Sequence, residues 1–374
     1  MHGALILGDG TVMEGSGFGR PAETYGELVF NTGMVGYTET LTDPSYGGQI
    51  LTLTYPLVGN YGVPDPSERD SDGIPSHFES DRIHARGLVV HELSSTASHW
   101  NLSMTLDEWM YNEGIPGISG IDTRALTRRL RDGGVMMAAL AVSKDPIDVP
   151  GVSESLACAK TYGTEQLAGA ASAGTGSFGS GPKCIVVIDA GAKNAILRNI
   201  VSMGYKAVRV PWNASIQEVL SHDPKGVIIS NGPGDPQMCP ETIQTARALI
   251  ERNIPTLGIC LGAQIMGLAG GASTYKLKYG HRGQNKPCLD VSEGRVYVTS
   301  QNHGYCIDPD SLDGSAFEPW FTNTDDHTIE GIKHRNGRSM AVQFHPEASP
   351  GPYDCRFIFR RLRSLMEEGS TAKK

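Results

Sequence analysis

Three short segments of this 374-residue chain combine residue types that can do chemistry. In Gly258-Ile259-Cys260-Leu261-Gly262 a thiol stands between two glycines, after an apolar run. A sharp strand-to-helix elbow needs such small neighbours, because bulky ones clash where the backbone doubles back. The elbow lifts a nucleophile above the sheet, at the positive end of the following helix, where negative charge is favoured. The amide of Leu261 then points to where an oxyanion would form. In Ala341-Val342-Gln343-Phe344-His345-Pro346-Glu347 an apolar run ends in a histidine, with a carboxylate two residues on. The proline between them restricts the backbone, so the two side chains keep a defined relation. A Cys–His pair with a third group orienting the imidazole is the arrangement that activates a thiol. The third segment, Ser230-Asn231-Gly232-Pro233-Gly234-Asp235-Pro236, follows another apolar strand and lets backbone amides approach a ligand closely. Taken singly, each has a plain counterpart: a buried structural cysteine, a tight turn, one more core histidine among 11.

These segments need elements to hold them. After about residue 183 the pattern alternates strand and helix. Apolar strands are expected at Cys184–Asp189, Ala207–Val210, Gly226–Ser230 and Ile254–Ile259, with helices near Asn194–Met203, Ile216–Leu220, Glu241–Arg252 and Leu261–Leu268. Repeated βα units imply a doubly wound, mostly parallel sheet, whose sites lie at the carboxyl ends of its strands. Residues 1–150 read differently, as an α+β domain rich in short strands. Ala4–Leu7 runs into an Asp9-Gly10 turn and a hairpin, and further strands are expected at Glu27–Asn31, Gln49–Thr54 and Gly87–His91. Thr105 and Glu108 fit a capping box, and a second helix starts near Asp122. Between the halves, residues 151–182 read as a Gly/Ser-rich linker, and the α/β domain is expected over 183–374.

Composition narrows the field. With net charge −9 and no Lys/Arg block, neither nucleic acid nor an anionic membrane is expected as a partner. No stretch approaches the roughly 20 apolar residues of a membrane helix, and no signal peptide is evident in MHGALILGDG. Seven cysteines without a C-x-x-C pair read as reduced thiols, and the expected compartment is the cytoplasm.

Taken together, the Gly-rich loop, the elbow and His-x-Glu, in that order after strands, resemble class I glutamine amidotransferases with a Cys260–His345–Glu347 triad. The first half is similar to the small subunits of carbamoyl-phosphate synthetases, through Asn31-Thr32-Gly33-Met34-Val35-Gly36-Tyr37-Thr38-Glu39, Leu41–Tyr46, Thr52–Gly62 and Gly120–Arg124. Lys276–Gly283, Gln301–Tyr305 and Glu347–Pro352 extend the likeness over almost the whole chain. The family often has histidine at Ala263 and Asn-His-Pro-Val at Asn285–Cys288, and residues 67–78 match poorly.

The resemblance implies that Ser45, Gly232, Gly234, Leu261, Gln264, Asn302, Gly304 and Tyr305 bind glutamine. It implies hydrolysis through a Cys260 thioester, with ammonia passed to a large subunit that makes carbamoyl phosphate for pyrimidines and arginine. No Gly-x-x-x-x-Gly-Lys-Ser/Thr loop occurs, so no cofactor or metal is expected in this chain. ATP and its Mg and K ions are expected on the large subunit. The alternatives left open are an amidotransferase serving another synthase and a non-catalytic interaction subunit.

Overall fold

A computed structural model describes residues 1–371, which form two compact units. In the first, His2–Leu7, Val12–Gly19, Pro116–Ser119, Gly87–Val89, Gln49–Leu53, Ala22–Asn31 and Met136–Ser143 close into a barrel. Closure leaves no sheet edge unpaired. Alternation along the strands sends Leu5, Leu7, Leu28, Ile50 and Leu140 to one core with Leu126 and Leu130 of the helix Thr123–Gly133. Val29, Leu51 and Leu88 pack elsewhere, with Trp109 of the helix Leu106–Glu113. That helix starts at the expected capping box, Thr105 and Glu108 each accepting the other's backbone N–H.

The second unit is a ten-stranded sheet. Lys206–Pro211, Cys184–Asp189, Gly226–Ile229, Thr256–Ile259 and Ser339–Val342 lie side by side and parallel. These strands are almost continuously apolar because helices cover both faces. Beyond Ser339–Val342 the sheet turns antiparallel through Ile329–His334, Phe317–Asn323 and the long hairpin Thr274–Asp290/Arg295–Ile307. The doubly wound core is therefore extended by an antiparallel wing.

The boundary between the units differs from the expected one. The first unit continues to Glu165, and residues 151–182 are not a loose tether. Val149–Cys158 is a helix whose Val152 and Leu156 pack with Ile6 and Ala139 of the barrel. Ala168 enters the core of the second unit, and Gly176–Phe178 pairs with Lys206–Pro211 at the sheet edge. Small residues serve close apposition here: a Cβ on Gly181 would lie 2.3 Å from the carbonyl oxygen of Gly204. The short segment Asp70–Ile74 is counted with the second unit, where Ile74 joins the buried core cluster that also contains Val187, Ile228 and Phe359.

Glycine matters most where the elbow helix crosses the sheet. A Cβ on Gly262 would stand 2.1 Å from the carbonyl oxygen of Ile229. We therefore expect Gly262→Ala to destabilise the second unit by about 1–3 kcal/mol or more in urea denaturation. Gly133→Ala meets nothing within 4 Å and should be neutral or slightly stabilising.

Candidate active site

Strand register brings the three chemical segments together. Ile188 pairs with Ile229, Ile229 with Gly258, and Ile259 with Val342, so the loops after these four strands emerge in a row at one edge. Cys260 is the first residue beyond its strand, and its N–H donates to Val342 O at 2.9 Å. Three residues beyond Val342 stands His345.

Cys260 adopts φ 53° and ψ −105° and opens the helix Leu261–Ala269. Left-handed backbone at a residue with a Cβ is strained and persists only where the surroundings enforce it. Enforcement comes from both sides: Gly262 N donates to Ser230 O, while Gly258 leaves room for the helix, a Cβ there lying 2.6 Å from Gly262 O. The thiol is 2% exposed and lies 3.6 Å from Asn302 O.

His345 Nδ1 meets Glu347 Oε1 at 2.6 Å, with both residues buried. The opposite ring nitrogen, Nε2, has no hydrogen-bond partner, and the ring is electrostatically coupled to Cys260. Burial alone would lower the pKa of His345, but the Glu347 charge and the neighbouring Cys260 push it up to about 10. Burial likewise opposes charge on Glu347, yet His345 and Lys193 hold its carboxyl down at about 2. Lys193 Nζ is 3.2 Å from Glu347 Oε1 and 3.2 Å from Ser349 O, and the Lys193 backbone N–H donates to Asn231 Oδ1.

The other expected residues divide into groups. Gly232 packs so tightly that a Cβ would lie 2.1 Å from Ala190 O and 2.9 Å from Leu261 Cδ2, and Gly234 has φ +96°. The N-G-P-G loop thus stands directly against the elbow. The Gln264 side-chain amide donates to Tyr305 O at 2.9 Å and to Gln343 Oε1 at 3.1 Å. It braces the strand bearing Asn302, Gly304 and Tyr305. Ser45 belongs to the first unit, where it is buried in the turn Pro44–Tyr46 with its N–H on Asp43 Oδ1.

Residues 5–140 match the family described as carbamoyl-phosphate synthase small chain, CPSase domain, and residues 186–365 match glutamine amidotransferase class-I. The carbamoyl phosphate synthase small chain of Pyrococcus furiosus is 44% identical over 368 residues, covering 98% of each chain. That of Methanopyrus kandleri is 44% identical over 381 residues, covering 98% of this chain and 100% of its own. That of Streptococcus mutans is 43% identical over 363 residues, covering 97% and 96%. The chain belongs to the carbamoyl-phosphate synthase small-chain family.

Within that family frame, sequence reading missed Lys193. It follows the strand Cys184–Asp189, so it occupies the same sheet edge as the other loops, and that position was its signal. Asp189 shapes its loop by accepting the N–H groups of Gly191 and Ala192. Gln343 was also missed; it joins the apolar run to the elbow helix through Gln264.

Two predictions follow from the charges. Lys193→Met removes one of the two cations facing a wholly buried carboxylate; breaking such a pair costs about 3–5 kcal/mol, read by chemical denaturation. A loss below about 1 kcal/mol would show that Glu347 is stabilised in some other way. The second concerns pH. The raised His345 stabilises the fold fully below its ordinary 6.5 and loses that contribution as pH rises towards about 10. The lowered Glu347 contributes fully above 4.5 and loses it as pH falls towards about 2. The stability gap between wild type and His345→Gln should therefore be widest between pH 4.5 and 6.5 and narrow on both sides. A gap that widens from pH 7 to 10 would contradict this assignment.

Proposed function

We propose that this chain is the glutamine-hydrolysing subunit of a carbamoyl-phosphate synthase, with Cys260 as nucleophile. The observation that carries this reading is the alignment of Cys260, His345 and Glu347 on one edge of a parallel sheet, in a chain of this family.

In the proposed mechanism the Cys260 sulfur attacks the carboxamide carbon of glutamine, and the carbonyl oxygen takes up the negative charge. The Leu261 amide opens its helix and has no partner within it, so it can donate to that oxyanion together with amides of the Gly232–Gly234 loop. Each such donor is worth roughly 3–4 kcal/mol when removed in comparable sites. His345, held protonated beside Glu347, gives its proton to the departing nitrogen. The C–N bond breaks, ammonia leaves, and a glutamyl thioester remains on Cys260. Water then attacks the thioester while His345 takes its proton, releasing glutamate and restoring the thiol.

Ser45, Gly232, Gly234, Gln264, Asn302, Gly304 and Tyr305 are assigned to glutamine recognition. Among them Asn302 and Tyr305 have support from position: the former's carbonyl faces the thiol, and the latter's is held by Gln264. A large synthetase chain, binding ATP with its Mg and K ions, is the proposed receiver of the ammonia. No described helix is long and apolar enough to cross a membrane, and the cytoplasm is the proposed compartment.

Reconstitution with the large chain tests this directly. Cys260→Ser should lose glutamine-dependent carbamoyl phosphate formation by at least about a thousandfold, while the ammonia-dependent rate is unchanged. Equal glutamine-dependent rates for the two proteins would overturn the mechanism, and loss of both activities would assign Cys260 to assembly.

A further inference from the structure

The antiparallel wing contains a second buried cluster that the glutaminase chemistry does not use. His281 and His303 are cross-strand partners in the long hairpin, with rings edge to face at 5.0 Å, and Glu330 reaches them from Ile329–His334. All three are buried, Glu330 with no exposed surface at all.

With neutral rings the proton inventory of this cluster does not balance. His303 Nδ1 faces the carbonyl of Tyr305 at 2.9 Å, so that nitrogen carries the hydrogen. The other nitrogen, Nε2, faces Gln301 Oε1 at 3.4 Å and Glu330 Oε1 at 3.6 Å, both acceptors. The Gln301 amide is oriented by the contacts of its nitrogen. Its NH2 donates to Thr299 Oγ1 and Cys288 Sγ, and the Thr299 hydroxyl hydrogen already goes to Lys286 O. On the far side, His281 Nε2 meets Asp326 Oδ2 at 2.7 Å, leaving Nδ1 turned to Glu330 Oε1 at 3.3 Å. The Asn323 amide nitrogen, 3.5 Å from Nδ1, is too distant to satisfy it well. Glu330 Oε2 has no partner. With neutral rings, two imidazole lone pairs, a carboxylate and an amide oxygen converge on one another; when no metal is bound, a second proton on His281, which then donates to both Asp326 and Glu330, is the cation that answers them.

We propose that His281 Nδ1, His303 Nε2, Glu330 and Gln301 Oε1 hold one divalent transition-metal ion of the zinc class. Two imidazoles and a carboxylate are the donor set such ions take. Donors on a tetrahedral zinc with bonds of ~2.0–2.1 Å stand roughly 3.3–3.4 Å apart. Three of the separations, 3.3, 3.4 and 3.6 Å, are close to that spacing, and the donor atoms of His281, His303 and Glu330 all lie within 4.8 Å of one another, so an ion would draw them together. The outer contacts fit as well. A metal-bound histidine donates its remaining N–H to a carboxylate or a backbone carbonyl, and here Asp326 and Tyr305 O fill those places. The ion is structural: it ties Ile329–His334 to the strand bearing Asn302 and Tyr305, across from the Cys260 thiol.

The test uses the full chain without a metal-affinity tag, stripped with chelator and refilled with zinc. Stoichiometric zinc by elemental analysis is expected, with a higher thermal midpoint in the zinc form. Cys260→Ala should behave the same way, which separates this site from the catalytic thiol. Cobalt(II) in place of zinc should give visible bands of a four-coordinate nitrogen/oxygen site without thiolate charge transfer. Glu330→Gln and His281→Gln, checked for folding by circular dichroism, should weaken binding beyond the roughly 10–100-fold that losing an outer contact costs. Zinc bound no more tightly by wild type than by folded Glu330→Gln would overturn the proposal. So would a refilled wild type without stoichiometric metal, leaving a protonated His281 as the cluster's only cation. A thiolate-type cobalt spectrum that disappears in Cys260→Ala would overturn it too.

Discussion

Glu347 is buried at 1% exposure, and a carboxylate in that position must be answered by positive charge from within the fold. His345 answers from two residues away, Lys193 from the loop after a different strand. The demand fixes more than one side chain. His345 can serve Cys260 only with its Nδ1 committed to Glu347, because that contact aims Nε2 at the thiol. Lys193 can reach only because Asp189 and Asn231 set its loop. One buried charge thereby organises three of the four loops at the edge of the sheet.

Parallel pairing makes that organisation possible. Side-by-side strands with aligned ends deliver successive loops to one place, whatever their separation in sequence. This is why so much of the second unit was legible in advance. The strands Cys184–Asp189, Gly226–Ile229 and Thr256–Ile259 are apolar runs bounded by glycine, proline or polar residues, and the motifs follow them directly. The elbow could be read from two glycines because the constraint is local: steric crowding within five residues. In the first half, the hairpin at Asp9-Gly10 and the capping box at Thr105 were visible for the same reason.

What remained hidden depends on pairing between distant segments. Its place after a strand marks Lys193 as a loop residue at the sheet edge, but does not name a partner more than 150 residues away. His281, His303 and Glu330 come from three strands, and only the register of the hairpin and its neighbours sets them face to face. Residues 151–182 misled for a different reason. Glycine, alanine and serine suit a tether, but they equally suit backbone lying flat against a sheet edge, and composition does not separate the two. Closure of the first unit into a barrel was equally out of reach, since individual strands do not reveal whether a sheet's ends meet.

The segment Asp70–Ile74 bears on how such a protein is inherited. Ile74 fills a place in the core of the second unit although it is encoded nearly a hundred codons upstream of the rest. A gene piece starting at the amidotransferase boundary would encode the whole sheet and every catalytic side chain, yet lack one side chain of that core. Recombination could not transplant this half as a self-sufficient cassette without first mending that gap.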